Sequence, residues 1–110
     1  MNPFKLTFQE IIDILKKYEV SIEEFAFESI QKDLKDTIQL ETGIWEEIDQ
    51  VGGEGEGDYW HSVKHFKDSD IYIKIIGFYS SYIGVDFGSW ENDCIEVKPK
   101  EKIITVYDSI

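Results

Sequence analysis

The sequence predicts an α+β domain, an N-terminal helical pair packed on an antiparallel β-meander sheet. Three observations carry that prediction. Two S/T-x-x-E capping boxes, Thr7 with Glu10 and Ser21 with Glu24, stand ahead of apolar residues at helical spacing. Beyond Gly43 the apolar period changes from that of a helix to that of a strand. The alternating segments are separated by short polar turns, the connection that neighbouring antiparallel strands use.

The helical pair is expected over residues 8–35. After the first box, Phe8, Ile11, Ile12 and Leu15 recur at helical spacing, with Glu10, Asp13, Lys16 and Lys17 mostly on the other side. After the second, Phe25, Ile30 and Leu34 continue a stripe to about residue 35, and the link at Glu19 and Val20 is short enough for an angled or antiparallel pair.

The sheet is expected over residues 44–107, in the same single domain of 110 residues. Its strands are predicted at 44–50, 59–67, 71–80 and 82–87, then a closing hairpin of 94–98 and 102–107 around Pro99 and Lys100. In the third strand Ile71, Ile73 and Ile75 share one face, which places them in the core.

Composition limits the function classes. Hydrophobic residues make up 42% of the chain and aromatics 15%, ample material for a core and unlike a disordered chain. No apolar run approaches the roughly 20 residues that span a bilayer. MNPFKLTFQE lacks the pattern of a secretory signal, and one cysteine, Cys94, fits a reducing compartment. The expected location is the cytoplasm.

The net charge of −12 is unevenly distributed, since residues 41–58 hold seven acids and no base. With 11 lysines, no arginine and 23 acids, the chain is a poor direct ligand for nucleic acid, whose phosphates need clustered cations. Two readings fit the acidic strip: it engages a basic protein surface, or it serves solubility alone.

The stretch VGGEGEGDYWHSVKHFKD, residues 51–68, invites several chemistries. A phosphate loop needs a lysine and a following helix, whereas these glycines alternate with Glu54 and Glu56 and precede Asp58. The same acids are hard oxygen donors but lack the calcium-loop pattern, so a solvated loop that binds no metal is the reading adopted. His61 and His65 would share a zinc ion on a helix. On a strand they stand about 13 Å apart, and no metal is assigned. Cys94 reads as a small core residue, and no catalytic constellation or cofactor motif is recognisable.

Aromatic residues crowd the sheet region, and tryptophan and tyrosine are the usual anchors of protein interfaces. Lys64, Lys67 and Lys74 with nearby tyrosines offer a second possibility, a small-ligand pocket.

The glycine–acid run, HFKD before an alternating strand, the GFYSSY turn and the closing VKP hairpin resemble a family of small uncharacterised bacteriophage and prophage proteins over residues 44–108. The resemblance implies provenance: a viral accessory protein working in the host cytoplasm.

The function expected on this basis is that of a non-enzymatic acidic binding module of phage or prophage origin. It would inhibit a host defence nuclease in the manner of an anti-CRISPR protein. The expected partner is a host protein with a basic surface, such as a nucleic-acid-binding nuclease, with no direct nucleic acid or membrane contact. The expected contact residues are Trp45, Glu46, Glu47, Asp49, Glu54, Glu56, Asp58, Tyr59 and Trp60. The alternative is a small-ligand binder, for example a sponge for a defence signalling nucleotide.

Overall fold

The computed structural model describes residues 5–51, 59–80, 84–99 and 107–109. Helices α1 (Phe8–Lys17), α2 (Ile22–Ala26) and α3 (Lys32–Thr42) precede strands β1 (Trp45–Val51), β2 (Tyr59–Phe66), β3 (Ile71–Ser80) and β4 (Gly84–Asp86); a helical turn α4 (Trp90–Asp93) leads into β5 (Cys94–Val97). The α+β class holds, with helices first and an antiparallel sheet after them.

Both capping boxes form. Thr7 Oγ1 accepts from the Glu10 amide at 3.2 Å while Glu10 Oε1 accepts from the Thr7 amide at 3.0 Å. Ser21 and Glu24 repeat the exchange at 3.0 Å each way. Two otherwise orphaned donors are thereby satisfied at each helix start.

The expected second helix is two helices. The chain leaves helical geometry after Ala26, and Glu28 takes a left-handed backbone with φ 54°. A non-glycine residue there is strained by about 1 kcal/mol or more, so its surroundings must hold it. Helix α3 then continues past the expected end at residue 35 to Thr42, and Gly43 with φ 76° stops it. Lys17 and Tyr18 of the first helix end both bind Glu41, which ties α1 to α3.

The sheet departs from a simple meander at its far edge. Strands run in the order β1-β2-β3-β4, and β5 also pairs with β3. Both β4 and β5 run antiparallel to β3, and residues 87–93 stand opposite only Ile76 and Gly77. They are one interrupted strand with the α4 turn as an excursion. Gly77 makes room for that excursion: a Cβ there would lie 2.4 Å from Val85 Cγ1 and 2.7 Å from Phe87 Cε1. The expected partner strand at 102–107 lies mostly outside the described residues, and Tyr107 is exposed.

Side chains alternate across β2. Trp60, Ser62, Lys64 and Phe66 are buried, whereas Tyr59, His61, Val63 and His65 are on the other face. Ile73 and Ile75 are fully buried, as their parity predicts. The helices cover this inner face with Ile11, Leu15, Phe25 and Ile38, each fully buried. Burying a side chain of that size contributes about 1.5–3 kcal/mol, so this layer supplies the main driving force of folding. Among the described residues no helix is long and apolar enough to cross a membrane.

Candidate interaction surface

Two of the expected contact residues lie inside the protein. Trp45 is 3% exposed and Trp60 2%, because both share the inner face of the sheet with Phe66. Trp45 and Phe66 pack around Phe25 with centroids 5.7 and 6.0 Å from it. Trp60 forms a triangle with Phe27 and Phe87 at 5.0 and 5.5 Å. These rings are core members, and their expected role as interface anchors is corrected.

Glu47 also turns inward. Its Oε1 accepts from Ser62 Oγ at 2.6 Å and from Lys64 Nζ at 3.2 Å. Lys64 is the centre of this region, with a fully buried side chain. Its ammonium has three acceptors: the Ala26 carbonyl at 3.0 Å, Glu28 Oε1 at 3.0 Å and Glu47 Oε1 at 3.2 Å. Glu28 in turn accepts from Trp45 Nε1 at 2.9 Å and from Lys35 at 3.0 Å. Two lysines and two glutamates thus balance in charge. Desolvating an ammonium costs several kcal/mol, and only such complete pairing offsets it. Burial alone would raise the Glu28 carboxyl, but the charge on Lys64 and hydrogen bonds from Lys64 and Lys35 hold it below its ordinary value. The left-handed turn itself is closed by backbone bonds, from the Glu28 amide to the Phe25 carbonyl at 3.4 Å and from the Ser29 amide to the Glu24 carbonyl at 2.9 Å, and the network holds the side chain that the turn aims at Lys64.

This network is only half legible in the sequence. Lys64 shares the parity of Trp60 and Phe66, which marks an inward position, but its main partner Glu28 lies on a helix terminus that nothing in the sequence announces.

The remaining described residues of that set face outward. Glu46 pairs with Lys67 at 3.2 Å on the exposed surface. Ile48 occupies a β-bulge: Glu47 pairs with Lys64 and Asp49 with Val63, leaving Ile48 without a partner. The bulge reverses the alternation, so Asp49 reaches the outer face and meets His61 Nε2 at 3.4 Å instead of joining Glu47. Tyr59 is 71% exposed and rests edge-on against Phe78 at 5.7 Å. Glu54, Glu56 and Asp58 lie outside the described residues.

The outer sheet face is the site these placements define. Tyr59, Phe78, Ile48 and Ile95 are large exposed apolar groups on or beside it, and Phe78 is 45% exposed. His65 stacks on Tyr72 at 4.1 Å and binds Asp70 at 3.0 Å. Glu46 and Asp49 border the β1 side. Among the described residues no helix packs over this face, since the helices share the core of the opposite one.

Cys94 belongs to the core, as expected: burial, with help from Asp93, pushes its thiol up to about 12. A thiol so held carries negligible thiolate near neutrality. Comparison of the chain with protein-family models, curated proteins and solved structures finds no match.

Proposed function

We propose that the protein is a non-enzymatic binding module of phage or prophage origin that docks on a basic surface of a host protein. The proposed target is a defence nuclease, blocked in the host cytoplasm in the manner of an anti-CRISPR protein. One observation carries the reading: the outer sheet face presents Tyr59, Phe78, Ile48 and Ile95 to solvent beside the acidic β1 margin. Exposed apolar groups grouped on one face, with a polar margin, are the composition of a docking surface. The chain's excess of acids suits a cationic partner such as a nucleic-acid channel. The buried thiol of Cys94 and the fully engaged ammonium of Lys64 suit a structural role for both groups.

The test is differential capture from host lysate, with the wild-type chain and a Tyr59→Ser/Phe78→Ser variant run in parallel. A basic protein retained by the wild type and lost by the variant supports the reading. Identical recovery by both would remove the outer face from it.

A further inference from the structure

Most lysines among the described residues are engaged. Among the nine in the described residues, six hold a carboxylate within 4.0 Å and Lys5 donates to the Ser69 carbonyl. The side-chain ammonium groups of Lys74 and Lys98 have neither an ion pair nor a hydrogen bond among the described residues. Among the described lysines these two are the exception, and both line one shallow groove of about 300 Å³ on the outer sheet face.

Most of the remaining lining is apolar or aromatic. Val63, Tyr72 and Val97 line it, and stacking on His65 with an interplanar angle of 10° fixes the plane of Tyr72. The groove wall also holds Asp49, whose carboxylate lies 3.4 Å from His61 Nε2. The volume stands at the lower end of the roughly 300–1,000 Å³ that small-molecule sites occupy. It suits a molecule no larger than a mononucleotide.

We propose that this groove binds a small planar organic anion, an aromatic or heterocyclic ring carrying a phosphate or carboxylate. Lys74 and Lys98 meet the anionic group, and Tyr72, Val63 and Val97 meet the ring. The acidity of the chain does not forbid this. At physiological ionic strength charges beyond about 8 Å are largely screened, whereas two ammonium groups in contact with the ligand are not. Lys64 and Lys67, the other lysines that sequence reading linked to a ligand pocket, have no part in it, since the first is buried and the second holds Glu46.

The site shares a sheet face with the proposed protein contact, but its test uses no protein partner, so the two readings fail separately. The full ¹⁵N-labelled chain is titrated with AMP, 4-hydroxybenzoate, inorganic phosphate and uncharged adenosine while amide shifts are followed. Saturable shifts centred on residues 63, 72, 74 and 97–98 are expected with at least one aromatic anion, and weaker ones with phosphate or adenosine. The tighter of the two aromatic anions identifies phosphate or carboxylate as the recognised group. Lys74→Gln and Lys98→Gln should each weaken binding about tenfold at an unchanged melting temperature, the size expected for losing one charge-assisted hydrogen bond. No saturable shift with either aromatic anion at millimolar concentration would overturn the proposal. So would adenosine binding as tightly as AMP, or undiminished affinity in both variants.

Discussion

The ammonium of Lys64 lies 3.0 Å from a Glu28 carboxylate oxygen, with the lysine side chain fully buried between the sheet and the end of α2. The pair joins two parts of the chain at the point where helix gives way to a left-handed turn. Its removal therefore tests both the charge balance and the turn.

Glu28→Ala should destabilise the protein by about 3–5 kcal/mol, because it leaves Lys64, Lys35 and the Trp45 indole short of their shared acceptor. That is a large share of the roughly 5–15 kcal/mol of a typical domain. Glu28→Gly should lose about 1 kcal/mol less, since glycine tolerates the φ of 54°. Urea unfolding of the two variants checks the difference. Equal midpoints would mean that the turn is unstrained.

The same carboxylate sets a pH dependence. Its folded value is held below the ordinary one, so in acid the unfolded state takes up its proton first. Its contribution to stability is thus complete above about 4.3 and is lost as pH falls through the lower folded value. The gap in melting temperature between wild type and Glu28→Gln should be widest near neutrality and shrink below pH 4. A constant gap would show that Glu28 acts through shape and not charge.

Gly77 should not accept a side chain. In Gly77→Ala the new methyl meets Val85 and Phe87, and overpacking of this kind costs about 1–3 kcal/mol. Adding Val85→Ala should recover part of the loss, because the contacts are shared. Additive losses in a thermal double-mutant cycle would mean that the interrupted strand does not press on Gly77.

How much of this was legible in the sequence depended on the range of the interaction. Thr7 with Glu10 and Ser21 with Glu24 are local pairs, and both boxes form as their spacing predicts. Parity placed Ile71, Ile73 and Ile75 on the core face; the last two are fully buried and Ile71 packs half-buried against them. Parity also groups Trp60 with Phe66, yet aromatic crowding drew attention to Trp60 as an exposed anchor, and burial won. The bulge at Ile48 was hidden because one extra residue leaves composition untouched while turning Asp49 to the other face. The break at Glu28 carries no glycine: local bonds from the Glu28 and Ser29 amides to the Phe25 and Glu24 carbonyls close the turn, and the carboxylate's partner Lys64 lies 36 residues away. Such a pairing is invisible until the fold brings the two together.

Glu47 and its acidic neighbours should part company under charge reversal. Glu47→Lys places a second ammonium beside Lys64 and should unfold the domain at moderate temperature. Glu46→Lys/Asp49→Lys alters exposed side chains and should shift stability by about 0.5 kcal/mol or less at each site. Circular dichroism melts separate the cases. A folded Glu47→Lys would show that the Lys64 network is dispensable.

The proposed contact through the outer face and its acidic margin is tested most directly by association kinetics with the captured host protein. Wild type is compared with Glu46→Lys/Asp49→Lys at low and moderate salt. Complementary charge speeds encounter, so the wild-type on-rate should fall as salt rises, and the folded variant should associate more slowly at low salt and approach the wild type as screening grows. Equal on-rates for both chains at both salt concentrations would contradict the account and leave the acidic margin to solubility alone.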